Sequence, residues 1–547
     1  YTYDRAGNRI QMEVNTGGTT VTTKYEYDTL SRLTKVTSPE GIITRYTYDK
    51  VGNRQTMVES GIGETSYTYY DTNWLKTVTD SCSKTTTYVY DKIGNRTNMI
   101  YPASVGVTTE YTYATNTYRL TVIESKKGAN TILKLQYNYD DVGNRQNMWD
   151  TSTGSLSTTS YLYDNLYQLK QVDYPNTDRT NYSYDNVGNR ESMQTSTSTT
   201  TITTSYTYSN ANELNSFVTS TSTSTSTSTV TTNLTYDING NQLTKGNKNF
   251  VWSQKNQLMQ VNTTNLTVDY NYDGDGRRIY KAVDSATSPL TTRYFYDGAN
   301  CIVETDNNLT TTAAYVHGIE MISKRDSAGT MYYLFDAIGN TMVTTDSTGS
   351  SIIARYEYDA FGSVRSESPS GDTRNKNKFE GGYGIVYDDE DDLTYIRARY
   401  YDSEIGRFIS RDPYTWGPDD ERREFYDAIK YTNANRVVKN LYFYAENNPI
   451  KNIDIDGKGW VDFFTQTGSK VLGPIGTYIK ELFKAAYKTE RKAEEILYKD
   501  WAQSIKECGG DPERLKMLYD MDPEGFKKKT KEAFKRGYLT QCDFKRK

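Results

Sequence analysis

Histidine occurs once in the 547 residues, at His317. Ser-His-Asp and Cys-His nucleophile systems, and multi-histidine metal sites, are therefore out of reach downstream of it. His317 lies in a strand-like stretch, Ala314-Tyr315-Val316-His317-Gly318, and reads as a structural or surface residue. The four cysteines, Cys82, Cys301, Cys508 and Cys542, form no C-x-x-C pair, which argues against zinc or redox chemistry. Spacing alone leaves open whether Cys508 and Cys542 pair. No metal or cofactor is expected. Peptide hydrolysis by carboxylates would need two Asp groups brought close. Two Asp side chains brought close split their pKa values, so that one activates water while the other polarises a carbonyl. The stretch Asp392 to Gly457 separates a β-type array from a helical segment, and it is where such chemistry is sought. Two other acidic features read as loops. Tyr272-Asp273-Gly274-Asp275-Gly276 lacks the later ligands of a calcium loop and reads as a plain turn. Asp388-Asp389-Glu390-Asp391-Asp392 reads as a solvated loop.

The elements that must position this stretch are repeats. The unit Tyr-x-Tyr-Asp-x-x-Gly-Asn-Arg occurs at Tyr1–Arg9, Tyr46–Arg54, Tyr88–Arg96, Tyr137–Arg145 and Tyr182–Arg190, with degenerate copies between and after them. Spacings of about 21 to 26 residues fall in the solenoid range. Tyr-x-Tyr places both rings on one strand face. Asp starts a turn by bonding its own backbone, Gly supplies the positive φ that closes it, and Arg opens the return strand. The Tyr-Asp pairs are thus turn devices. Thr, Val and Ile alternate with polar residues between units. The Ser/Thr-rich stretches Thr195–Ser205 and Thr219–Thr232 are expected to be long paired strands or a protruding hairpin. With 51 tyrosines, 35% hydrophobic residues and a mean hydropathy of −0.78, the composition suits thin walls with one wet face better than one apolar core. No apolar run reaches the roughly 18 residues that span a bilayer. The chain opens inside a repeat, so it reads as the C-terminal piece of something longer, with no signal peptide of its own.

Within the central stretch, Tyr395-Ile396-Arg397-Ala398-Arg399-Tyr400-Tyr401, Gly406 to Pro413, Leu441-Tyr442-Phe443-Tyr444, Asn447-Asn448-Pro449 and Asp454 with Gly457 come one after another in a fixed order. This series resembles the core module of the Rhs/YD-repeat family. The resemblance implies a mainly β fold, in which spiralling antiparallel hairpins make a hollow shell closed by a core plug. It also implies an aspartyl-protease-like site that frees an enclosed C-terminal domain, with Asp412 and Asp454 as the catalytic pair. Arg411 would orient or stabilise charge, and Asp456 is a spare carboxylate. The cut would come after Lys458 by alignment, or after Trp460 if an aromatic residue is required. The pattern is altered at Ile455, where the family has proline, and at Lys458, where it has an apolar residue. An insertion from about Thr415 to Asn440 reads as helical around Asp419 to Tyr431. Tyr395, Arg397, Arg399 and Tyr401 alternate and would share a strand face, stacked to seal the shell.

Beyond the stretch the apolar period changes to about 3.6 residues, with Ile475, Ile479, Leu482, Phe483, Ile496, Leu497 and Trp501 marking a helix face. Residues 458–547 carry a net +6 against −11 for the rest. They match no nuclease, deaminase or transferase motif. The chain thus divides into a shell (1–379), a core with the protease-like site (380–457) and a small all-α effector (458–547). The expected function is the C-terminal part of a secreted or cell-surface polymorphic toxin that self-cleaves near 458–460. Its partners would be its own effector inside the shell, a missing N-terminal part and an immunity protein, with nucleic acid or membrane as the effector's target in another cell. The alternative is a non-cleaving surface adhesion protein with a helical interaction tail.

Overall fold

The computed structural model describes residues 1–16, 19–285, 290–413 and 440–458, and the backbone of Val461–Asp462. The helices expected at 419–431 and beyond 475 lie outside the described residues, as does the effector apart from Lys458 and the short strand Val461–Asp462. The chain divides into two compact units, Tyr1–Ile475 and Gly476–Lys547, and every described residue belongs to the first.

Thirty-four strands form one antiparallel sheet in which each strand pairs with the next in sequence. One repeat shows how. In Ile43–Tyr48, Tyr46 is buried, Thr47 exposed and Tyr48 half-buried, so both rings share the inner face. The Asp49 carboxylate accepts from the backbone N–H of Val51 (3.0 Å) and Asn53 (2.8 Å) and from the Asn53 side chain (2.9 Å). Gly52, at φ +102°, completes the turn, and a bulge falls between Thr47 and Tyr48. Repeats are then laced together. The hydroxyls of Tyr48, Tyr69, Tyr90 and Tyr184 donate to the carbonyls of Leu33, Arg54, Leu75 and Leu169 at 2.7–3.0 Å. Arg54 lies 4.6 Å from the centre of the Tyr67 ring. Each of these four tyrosines thus rests its ring on the wall and satisfies its hydroxyl on the neighbouring hairpin. The Ser/Thr-rich stretches are long strands, Thr200–Tyr208, Leu214–Thr223 and Thr227–Tyr236, paired in register.

The ribbon returns on itself. Arg9 binds Asp275 at 2.6 Å, Arg54 binds Asp297 at 2.5 Å, Arg96 binds Glu320 at 3.0 Å and Arg365 binds Asp178 at 2.8 Å. The separation in sequence falls from 266 to 243, 224 and 187 as these contacts advance along the chain, so residues 275–365 lie along residues 9–178. This is the wall of a β-shell. The turn at 273–277 is a repeat turn, as its sequence implies, and its Asp275 serves Arg9.

The core module sits on the turn edge of this wall. Its small sheet runs Val386–Asp388, Leu393–Ile396, Arg399–Asp402 and Arg407–Phe408. Phe379, Tyr383, Tyr442 and Phe443 press on the turn glycines Gly362, Gly339, Gly240 and Gly188, where a Cβ would come within 2.4–2.6 Å of them. Leu393, Tyr395, Tyr400 and Ile409 complete an apolar cluster with Phe250, Leu258, Val261 and Val268 of the wall.

Two expectations are corrected here. The acidic run is no solvated loop: Asp388 and Asp391 are fully buried. Asp388 binds Arg278 and, at 2.7 Å, Lys281, while Asp391 accepts the Tyr270 hydroxyl. The wall's buried cations supply the counter-charge that local sequence does not reveal. Nor do Tyr395, Arg397, Arg399 and Tyr401 share one strand. Arg397 has φ +49°, and Arg397-Ala398 is a two-residue turn that pairs Tyr395 with Tyr400 across a hairpin.

Candidate functional site

That hairpin turn delivers Arg399 into the core. Its side chain is buried, with the guanidinium carbon 3.5 Å from the centre of the Phe408 ring. One guanidinium nitrogen, Nη2, lies 3.0 Å from Asp454 Oδ2 and 3.8 Å from Asp412 Oδ2. Nη1 donates to the Leu441 carbonyl at 3.1 Å, and Nε donates to the Gly457 carbonyl. Burial lowers the Arg399 pKa from its ordinary value, and the three nearby aspartates oppose that shift. The group keeps its charge throughout the physiological range.

The two aspartates arrive from separate segments. Asp412 follows the strand Arg407–Phe408 and is fixed by its backbone N–H, which donates to the Leu441 carbonyl at 2.8 Å. Asp454 follows the strand Asn452–Ile453 and is buried. Its Oδ1 accepts the backbone N–H of Lys458 at 3.2 Å. Asp456 is exposed, and its Oδ1 also accepts that N–H, at 3.0 Å. The peptide group joining Gly457 to Lys458 is therefore held at both ends, its carbonyl by the guanidinium and its amide by carboxylates. Past it, the backbone of Val461 and Asp462 pairs back onto Ile453 and Asn452. Trp460 lies outside the described residues.

Arg411 is placed elsewhere. It binds Glu213 at 2.8 Å and Tyr442 Oη at 3.3 Å, on the wall's turn edge. The cation that joins the aspartates is Arg399. Sequence reading misses it because Ile396-Arg397-Ala398-Arg399 contains no Gly or Asn to announce a turn. It misses Glu380 as well. This residue is fully buried at φ +50°, its N–H donates to the Asn340 side chain at 2.9 Å and its carboxyl accepts the Tyr444 hydroxyl. Burial, reinforced by Asp454 and Asp336, pushes its pKa up to about 8. His317 is half-buried, bonds the Cys301 carbonyl at 2.9 Å and is pushed down to about 4 by desolvation, as befits a neutral structural residue.

Over residues 95–450 the sequence matches the Teneurin YD-shell family, and over 27–61 the RHS repeat. The chain belongs to the YD-shell family. Among its relatives, the tRNA nuclease WapA of Bacillus subtilis (strain 168) is 31% identical over 242 residues, which is 43% of this chain and 9% of WapA. Teneurin-4 of Homo sapiens is 24% identical over 197 residues, 34% of this chain and 6% of that one. The chain thus spans under a tenth of the length of these relatives. The crystal structure of TcdB2-TccC3 superposes with a TM-score of 0.56 at 20% identity, over 83% of this chain and 24% of that one. That likeness speaks to the fold. Among the described residues no helix is long and apolar enough to cross a membrane.

Proposed function

We propose that this YD shell belongs to a secreted polymorphic toxin whose core cuts its own chain near residues 458–460 and so frees residues 458–547 as an effector held by the shell. The observation that supports it is one buried guanidinium shared by Asp412 and Asp454, beside the loop that leads into the C-terminal segment. In this reading one carboxylate, ionised, takes a proton from water as its oxygen adds to the peptide carbonyl carbon. The other carboxylic acid protonates the departing amide nitrogen, the C–N bond breaks, and a carboxyl and an amine terminus result. Arg399 stabilises the oxyanion and keeps the aspartates together. Asp456 borders the loop, and Arg411 locks the Asp412 segment to the wall. The effector, its target (nucleic acid or membrane), an immunity protein and an N-terminal remainder are the partners of this reading. The nuclease relative lends weight to a toxin.

Purified protein on a denaturing gel tests it. Two fragments are expected, and Asp412→Asn should leave one. A single full-length band in both would remove the cutting. The teneurin likeness favours a second reading, an uncut adhesion module of the cell surface. It predicts that residues 458–547 are harmless when expressed inside a susceptible cell, whereas the toxin reading predicts growth arrest.

A further inference from the structure

We propose that Gly457 sets the register of the cut, and that the site grips the main chain on either side of it instead of reading side chains. This rests on the self-cleaving reading above. Gly457 has φ +69°, a conformation side-chain-bearing residues rarely adopt. A Cβ there would lie 2.2 Å from the Ile396 carbonyl oxygen and 3.0 Å from the Arg399 nitrogen, both backbone atoms of the hairpin turn that presents the guanidinium. Backbone cannot swing aside as a flexible side chain can, so the seat admits glycine alone.

The contacts holding the neighbouring residues run to main-chain atoms. The Asp456 carbonyl accepts from the Ala398 N–H at 3.2 Å. The Gly457 carbonyl accepts from Arg399 Nε. The Lys458 N–H donates to Asp454 and Asp456. The pairing of Ile453 with Val461 and Asn452 with Asp462 is again backbone. Apart from the two carboxylates, which the loop itself supplies, such bonds fix the position of the chain without regard to which side chains it carries. Ile455 and Lys458, which depart from the family pattern, are then compatible with cutting. Gly457 is a positioning residue: it lets the loop approach Arg399 closely enough to set which peptide carbonyl meets the catalytic groups.

The decisive experiment inserts one alanine between Gly457 and Lys458 in the full chain and measures fragment masses. Register set at Gly457 predicts an N-terminal fragment with the same number of residues as from the unaltered chain. A fragment one residue longer means that side chains choose the bond, and overturns the proposal. In parallel, Gly457→Ala should slow cutting about a hundredfold, as a misplacement near 1 Å does. Gly52→Ala, which carries a positive-φ penalty of its own at φ +102° in open space, should leave the rate unchanged. Cutting of Gly457→Ala at the unaltered rate overturns the proposal; if that variant does not fold, the insertion decides alone. An uncut parent chain defeats the self-cleaving reading itself, and this inference with it.

Discussion

The same turn occurs on the open rim of the wall and beneath the core, and its residues are used differently. Around Asp49 it stands alone: Val51, two residues on, is 74% exposed, and nothing lies within 4 Å of where a Gly52 Cβ would be. Around Asp336 the turn has the same bonds, with Asp336 capping the N–H groups of Ile338 and Asn340. Yet Ile338 is 2% exposed, the Tyr383 ring lies 2.6 Å from a would-be Gly339 Cβ, and the side-chain oxygen of Asn340 is taken by the Glu380 N–H. The repeat arginines behave alike. Arg9, 27% exposed, pairs with Asp275 at the rim, whereas Arg278 at the equivalent position is 1% exposed and pairs with Asp388 of the core. A motif that only needs to turn a hairpin thus becomes a socket wherever the core lands on it. The core recognises the wall through features every repeat already owns.

This contrast can be broken most severely at the arginines. Arg278→Ala strands Asp388 in the interior with only Lys281 to balance it, and should cost about 3–5 kcal/mol. Arg9→Ala should cost at most about 1 kcal/mol, because its ion pair is screened by water. Chemical denaturation of the two variants side by side checks the difference. Equal losses would mean the core adds nothing to the pair it buries. The glycines give the next effect. Gly339→Ala combines the positive-φ penalty with a clash against Tyr383 and should lose about 2–4 kcal/mol. Gly52→Ala carries the conformational part alone, about 1 kcal/mol.

What can be read in the sequence divides along the same line. The hairpin unit, its Asp cap, its glycine and the alternation of tyrosines are local and legible. So are Asp412 and Asp454, through the order of motifs around them. Non-local matters are not. The run at 388–392 looks hydrated until Arg278 and Lys281, about 110 residues away, are brought to it. Tyr395 to Tyr401 looks like one strand because the turn at Arg397-Ala398 is imposed by non-local contacts, with Arg397 donating to the Asn300 side chain of the wall at 3.3 Å and to the Tyr383 carbonyl of the core at 2.7 Å. Arg399 consequently reads as part of a sealing face instead of as the partner of the aspartates.

Acid–base behaviour should separate the two regions next. With a carboxyl of ordinary pKa 4.5 raised to about 8 in the fold, the stability associated with protonated Glu380 is complete below pH 4.5 and is lost as the pH climbs toward 8. Glu380→Gln removes this loss. It should therefore melt higher than the parent at pH 8, by about 2–4 kcal/mol of stability, and match it near pH 4.5. A parallel offset at both values would mean that the carboxyl is ionised in the fold.

The smallest expected difference concerns the tyrosine hydroxyls. Tyr48 and Tyr358 each donate to a carbonyl at 2.7 Å, that of Leu33 on the open part of the wall and that of Thr341 beneath the core. Leu33 is half-buried, so water can replace the lost hydroxyl, and Tyr48→Phe should cost about 0.5 kcal/mol. Thr341 is fully buried, its own hydroxyl is committed to the Asn377 carbonyl, and no water can serve as substitute. Tyr358→Phe should cost about 1.5 kcal/mol, the difference being the desolvation of one orphaned carbonyl. Amide exchange at Tyr48 and Tyr358 would localise the effect. Identical costs would show that coverage by the core leaves the lacing between hairpins untouched, and would confine the socket to the turn tips.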